Sequence, residues 1–277
     1  MPEPIPIHRR SEQARTQETD TLHLPRILCL HGGGTNSTIF RAQCRVLIAQ
    51  LKPHFRLVFA DAPFSSEPGP DVTSVYRDFG PFKRWLRSKP EHPIMDPKNA
   101  VEEIDACLFK AMRDDDASGA RGEWVGLLGF SQGAKMAASL LFRQQVRTQM
   151  LGTSSCNVHF RFAVLMAGQG PIVSLEPELC MNEALVTASD IALLQAPSAA
   201  CLAKGDHVLR IPTIHVHGTF DPGLERHRFL LETYCCPRAR RLIQWEGEHR
   251  VPIKTRDVET LVWEIMEVAR MTGAVGK

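Results

Sequence analysis

The chain predicts an α/β fold with a mostly parallel, doubly wound sheet and helices on both faces. Three observations carry that expectation. Apolar runs of strand length alternate with stretches of helical period. The segment Gly129-Phe130-Ser131-Gln132-Gly133 lies between an apolar run and a small-residue helical run. Two later apolar runs are each followed by a loop bearing an ionisable residue, Asp221 in one and His249 in the other. At 277 residues the chain suits one domain over 24–277, preceded by a polar, flexible tail over 1–23.

Arg26–Leu30 reads as a first buried strand. A helix over Ile39–Leu51 follows, stopped by Pro53, and Arg56–Ala60 is a second strand. Asp96 and Pro97 open a helix, because Asp caps well and Pro suits the first turn. Val101, Ile104, Leu108 and Ala111 mark its apolar face, and Asp114-Asp115-Asp116 should end it as a solvated loop. Trp124–Phe130 is a strand leading into a helix whose Ala134, Ala137, Ala138 and Leu141 can pack closely on a sheet. Phe160–Met166, Thr213–Val216 and Arg241–Trp245 are further strands. Val258, Leu261, Val262, Ile265 and Ala269 are the stripe of a closing helix. Residues 64–95 and 169–210 fit neither period and leave from strand ends, so both are expected as cap-like insertions. Leu175, Leu179, Leu185, Ile191 and Leu194 in the second could cap a site or form a dimer contact.

Composition excludes several classes. The net charge is +2 with cations spread along the chain, which is no nucleic-acid footprint. No stretch approaches the length of a membrane span, and residues 1–23 lack the apolar core of a secretory signal. Eight cysteines occur with no C-x-x-C spacing, which argues against a zinc or thioredoxin-like site and for a reducing, cytoplasmic setting. Cys235-Cys236 read as the end of a helix.

Gly-x-Ser-x-Gly between strand and helix is a nucleophile elbow, in which glycines admit a turn too tight for side chains and the Ser131 hydroxyl is pushed out at the sheet edge. A serine hydroxyl needs a base, and the base needs an orienting acid. In this architecture the order is Ser, then Asp or Glu, then His, each beyond a strand. Asp221 follows the Thr213–Val216 strand and His249 follows the last one. Glu248 and Glu246 remain as weaker acids. Asp206 precedes its strand, His215 and His217 lie in a strand as structural groups, and Asp257 begins the final helix. An oxyanion hole would take the N–H of Gln132 and a second from His31-Gly32-Gly33-Gly34-Thr35, Gly33 first and Gly34 next. That glycine run lacks the Lys-Ser/Thr ending and spacing of a phosphate loop. This chemistry needs no cofactor and no metal.

Leu28-Cys29-Leu30-His31-Gly32-Gly33-Gly34, Asp61-Ala62-Pro63-Phe64, Gly80-Pro81-Phe82-x-x-Trp85, Leu128 to Ala134, His217 to Asp221, and Gly247-x-His249-x-x-Pro252 follow one another in this order. Together, over about residues 24–270, they resemble the fungal FSH-type serine hydrolases, a branch of the α/β-hydrolase superfamily. The resemblance implies a Ser131–Asp221–His249 triad on a sheet without the usual N-terminal hairpin. It extends to members of lovastatin and citrinin biosynthesis that cut acyl chains from carrier-protein thioesters, and so implies an acyl or polyketide thioester as substrate, with a polyketide synthase acyl-carrier domain as a partner. General carboxylesterase action on small esters, transfer of the acyl group to another acceptor, and a non-catalytic binding role are the alternatives. Phe82 and Trp85, with Phe130, would line an acyl pocket, or the first two would only anchor the cap. Lys83 and Arg84 would meet an acidic carrier or a phosphopantetheine phosphate, or form a solvated basic surface. Oligomeric state is not legible.

Overall fold

A computed structural model describes residues 21–70, 72–155, 158–191 and 197–276. Six strands form its central sheet: β1 (Arg26–Leu30), β2 (Arg56–Ala60), β3 (Trp124–Phe130), β4 (Phe162–Met166), β5 (Thr213–Gly218) and β6 (Arg240–Trp245). Their order is β2-β1-β3-β4-β5-β6, and every pair is parallel. After β2 the chain crosses back to place β3 on the other side of β1. That reversal opens a crevice beyond the carboxyl ends of β1 and β3, where ligands bind in sheets of this kind. β1, β3 and β4 are buried along their whole length, which is why they read as unbroken apolar runs.

Two cores flank the sheet. On one face α1 (Ser37–Gln43), α2 (Arg45–Leu51) and α6 (Thr255–Met271) contribute Phe40, Leu47, Leu51, Val258, Leu261 and Ile265 against Ile27, Cys29 and Val164. On the other, α3 (Pro97–Ala117) and α4 (Gln132–Leu151) bring Ile104, Leu108, Met136 and Leu141 against Leu28, Leu30 and Leu165. Alternate residues of β1 thus serve opposite cores, as a period of two requires. A short helix, α5 (Leu224–Phe229), follows β5.

The structure corrects several expectations. The helix expected over 39–51 is two, interrupted at Cys44 (φ −82°, ψ 7°), and α1 starts early because the Asn36 side chain accepts the Ile39 N–H at 2.9 Å. Residues 1–20 of the expected tail lie outside the described residues, but Thr21 and Leu22 are packed, Thr21 buried and hydrogen-bonded to Arg56 at 2.9 Å and the Leu22 carbonyl accepting the Arg121 N–H at 2.8 Å. Asp114 to Asp116 form no solvated loop. α3 runs through them, and Asp115 is buried between Arg26 at 3.2 Å and Arg56 at 2.7 Å. Arg26 also pairs with Asp116 and stacks on Trp124 at 4.1 Å. The two arginines from β1 and β2 therefore neutralise acidic charge at the C-terminal end of a helix, where that charge is otherwise unfavourable.

Residues 64–95 are stitched to the sheet's carboxyl edge. Phe64–Ser65 pairs antiparallel with Lys83–Arg84, and Lys83 bridges to Thr35. Arg84 is buried with its guanidinium 5.1 Å from the Phe64 ring, so it is not part of a solvated basic surface. The described part of 169–210 packs along α4. The Val173 N–H donates to Ser139 Oγ (3.0 Å), Glu176 pairs with Arg147, and the Ala184 carbonyl accepts from the Tyr234 hydroxyl (2.6 Å). Leu175 is buried there, with Leu179 and Leu185 packed on the same core; Leu194 lies outside the described residues. Seven cysteines are free thiols, and Cys156 falls outside the described residues. Among the described residues no helix is long and apolar enough to cross a membrane.

Removing the carboxylate of a buried ion pair strands its cation. Asp115→Ala is expected to lower the unfolding free energy by about 3 kcal/mol, while Asp114→Ala, whose exposed partner is Lys110, changes it by less than about 1 kcal/mol. Urea denaturation of the two variants checks the contrast.

Candidate active site

Ser131 joins β3 to α4 with φ 53° and ψ −115°, a conformation that non-glycine residues rarely hold. Its surroundings over-determine it. The Ser131 N–H donates to the Met166 carbonyl at 2.8 Å. A Cβ on Gly129 would meet the Gly133 carbonyl oxygen at 2.3 Å, and one on Gly133 would meet the Leu30 carbonyl oxygen at 2.0 Å. Both glycines are thus required because backbone lies against backbone, and the turn lifts the hydroxyl out of the sheet.

Asp221 and His249 arrive on the loops after β5 and β6. Those loops are zipped together: the Thr219 N–H donates to the Trp245 carbonyl (2.9 Å) and the Phe220 N–H to the Gly247 carbonyl (3.0 Å). A Cβ on Gly218 would come within 2.4 Å of the Gly247 oxygen, so this crossing also depends on a glycine. The product is a continuous hydrogen-bonded line. His249 Nε2 lies 2.9 Å from Ser131 Oγ, and Nδ1 lies 2.7 Å from Asp221 Oδ2. Asp221 Oδ1 accepts the Gly223 N–H at 2.7 Å. With Nδ1–H donated to the carboxylate, Nε2 keeps its lone pair for the serine proton. Neither weaker acid is placed to compete: Glu246 is exposed and Glu248 pairs with Arg250 at 3.1 Å. Asp206 accepts from Asn182, and Asp257 sits in the first turn of α6.

The loop after β1 is braced from behind. The Ala62 N–H can only donate, so His31 Nε2 accepts it (3.0 Å) and Nδ1–H faces the Gly32 carbonyl (2.8 Å). Thr35 Oγ1 donates to the same carbonyl at 2.7 Å. Burial pushes the His31 imidazole down to about 4, which keeps it neutral in this role. Of the donors expected for an oxyanion, the N–H groups of Gly33 and Gln132 meet no protein acceptor among the described residues. The Gly34 N–H is already given to the Lys83 carbonyl at 2.9 Å, so Gly34 is not a free donor. Its own glycine requirement is different: φ is +74° and a Cβ would strike Gly69 N at 2.4 Å.

A cleft of about 260 Å³ opens over Ser131, walled by Ser66 to Pro70, Leu86 to Lys89, the glycine loop and Gln169. Trp85 is not in that wall. It is fully buried, its indole N–H donates to the His31 carbonyl (2.9 Å), and its backbone N–H donates to Gln132 Oε1 (2.6 Å). Gln132 Oε1 also accepts from Leu86 N–H (3.2 Å), and its amide donates to Leu86 O (3.0 Å). Trp85 therefore anchors the cap, and the Gln132 side chain clamps the cap to the elbow. Phe82, half-buried, is likewise absent from the cleft lining, and Phe130 packs under His249 with ring centroids 5.1 Å apart. Sequence reasoning missed the Gln132 clamp, the His31 brace and Lys135, a buried lysine that lines the cleft.

Behind Asp221 lie three more imidazoles. His215 and His217 face one side of β5 while Ile214 and Val216 face the other core, and the His227 ring from α5 lies tilted between those of His217 and His249, with centroids 5.5 and 5.9 Å away. All three are fully buried. Burial lowers the His217 and His227 values to about 4, and drives His215 down further in the same direction. One donor atom each of Asp221, His227 and His249 falls within 4.8 Å of the others. A cation there would have to break the His249–Asp221 hydrogen bond.

The family model "Serine hydrolase (FSH1)" matches residues 21–261. Esterase claE of Penicillium crustosum is 55% identical over 94% of this chain and 98% of its own length. Esterase pigG of Monascus ruber is 59% identical over 94% and 97%, and Esterase citA of the same organism 55% over 92% and 96%. A solved structure from a study of two fungal esterases of Rhizomucor miehei aligns with TM-score 0.52 at 17% identity, covering 90% of this chain and 76% of that one; it supports the α/β-hydrolase fold.

The buried imidazoles set an acid limit on stability. Their folded values lie near 4 against 6.5 unfolded, so the unfolded chain binds more protons between those limits. The stability they permit is complete above pH 6.5 and falls as pH drops toward 4, by up to about 3 kcal/mol per imidazole. Urea unfolding between pH 8 and pH 5 should show this decline, with a shallower slope for His217→Phe.

Proposed function

The chain belongs to the FSH1 family of serine hydrolases, and we propose that Ser131 is its nucleophile, His249 the base and Asp221 the acid that orients the base. It is an ester-hydrolysing enzyme acting on a small-molecule ester. The observation that carries the residue roles is the unbroken line of hydrogen bonds from Ser131 Oγ through His249 to Asp221.

In the proposed reaction His249 Nε2 takes the Ser131 proton as Oγ attacks the acyl carbonyl, and Asp221 stabilises the imidazolium. The tetrahedral oxyanion is held by the N–H groups of Gly33 and Gln132, each donor being worth roughly 10²–10³ in rate. The imidazolium then protonates the departing alcohol or thiol, leaving acyl-Ser131. Water, deprotonated by His249, attacks the acyl carbon and releases the carboxylic acid with Ser131 restored. We favour acyl or polyketide thioesters as substrates, delivered by an acyl-carrier domain. This reading is supported by the resemblance to carrier-thioester hydrolases and by an open cleft able to admit a tethered chain. Action on small oxygen esters is the second reading, favoured by the relatives that bear the name esterase. It shares every step up to the leaving group.

Labelling with a fluorophosphonate, read by intact mass, tests the residue roles. One adduct is expected on the wild type, none on Ser131→Ala, and a slowed reaction on His249→Ala. Asp221→Asn should lower kcat on the order of 10⁴-fold, because the wrong tautomer then faces Ser131. An adduct that survives in Ser131→Ala would refute the assignment. Comparison of matched thioesters and oxygen esters decides the leaving group.

A further inference from the structure

Lys135 is unusual among the charged residues of the site. It is 6% exposed, lines the same cleft as Ser131, and has no carboxylate or other hydrogen-bond partner among the described residues. It stands in the first turn of α4, and its backbone N–H donates to the Ser131 carbonyl at 3.2 Å. Helical side chains lean toward the N-terminus of their helix, so the Lys135 stem leans back toward the nucleophile. A buried ammonium without an acceptor is costly. The Lys135 Nζ is not among the fully buried atoms left without a partner and lines the cleft, so an anionic oxygen on a ligand there would supply the acceptor that the protein does not.

We propose that Lys135 is a substrate-recognition residue that pairs with an anionic oxygen, a carboxylate or an ionised enol or phenol, on the acyl part of the substrate. The inference rests on Ser131 as the acylated residue, since that places the acyl group in the Lys135 cleft. Three further observations agree. Lys89 and Arg87 stand on the same cleft wall against one acid, Glu67, so the cleft's charge favours an anion. Arg87 is committed to the His92 and Pro90 carbonyls, and Lys89 is exposed, which leaves Lys135 as the enclosed cation. Burial also pushes the Lys135 ammonium down to about 7, the behaviour of a cation that lacks its counter-charge.

The test uses two matched compounds, the N-acetylcysteamine thioester of glutaric acid, which carries a free carboxylate, and the same thioester with that carboxylate methylated. Wild type and Lys135→Met are compared in kcat and KM. The same two compounds are titrated by calorimetry into Ser131→Ala and into Ser131→Ala/Lys135→Met, where turnover plays no part. A charge-assisted hydrogen bond predicts that the wild type favours the anionic compound by about 10- to 100-fold, in KM and in affinity. Lys135→Met should bring that ratio close to one, and Lys135→Arg should retain part of it. Equal treatment of the two compounds by wild type, or a preference that persists in Lys135→Met, overturns the proposal. Failure of the Ser131 assignment shows separately, as labelling that is absent from the wild type or that survives in Ser131→Ala, with the calorimetric ratio intact.

Discussion

The close approach of the α4 N-terminus to the ends of β1 and β3 is the constraint on which the site depends. Gly133 lies against the Leu30 carbonyl and Gly129 against Gly133, at distances no side chain could share. That contact sets Ser131 in its left-handed conformation and brings the Gln132 N–H beside the glycine loop after β1. It also explains why the site forms at this strand pair: β1 and β3 are where the sheet order reverses, so the loops leaving them diverge and leave a crevice. The strain at Ser131 is sustained because the two glycines, the Met166 carbonyl and the Gln132 clamp on Trp85 and Leu86 all fix the same turn.

The inner strands β1, β3 and β4 were legible in the sequence because strands buried on both faces must be apolar throughout, and the partly exposed edge strands β2 and β6 were legible as short apolar-rich runs between helical stretches. The Ser131, Asp221 and His249 positions were legible for a related reason, since each lies in the turn or loop that follows a sheet strand. What stayed hidden depends on partners far along the chain. Asp115 resembled part of a solvated acidic loop because its counter-ions, Arg26 and Arg56, are 89 and 59 residues away. Trp85 resembled a pocket aromatic because nothing local reveals that its indole N–H reaches the His31 carbonyl, 54 residues distant. Gly34 and Gly33 were indistinguishable as donors until Lys83 was seen to occupy one of them. Lys135 drew no notice in the sequence, although a lysine in the first turn after the Gly-x-Ser-x-Gly segment is a local signal that could have been read.

The 64–95 segment shows how a loop without periodicity is held in place. Its short strand pair, the Thr35 bridge and the Gln132 clamp attach it to the elements that position Ser131. The cleft wall and the proposed oxyanion donors are therefore one mechanical unit. A change at Trp85 or Gln132 acts on both wall and donors, so it would not separate binding from turnover, whereas Lys135, lining the cleft from the helix itself, can alter one acyl class relative to another.

The buried histidines behind Asp221 have a physical consequence for His249. His227 Nε2 lies 3.8 Å from Asp221 Oδ2, close enough for a charged imidazole to compete with His249 for the carboxylate. Burial keeps His227 and His217 neutral at ordinary pH, and a neutral ring at that distance makes no hydrogen bond. The Asp221 charge is then directed at His249 Nδ1–H and the Gly223 N–H. Of the two imidazoles that flank the acid, His249 reaches partial solvent exposure and the serine, while His227 is enclosed. The fold thus distinguishes the proposed base from a cluster of similar rings by its position and exposure, without any difference in residue type.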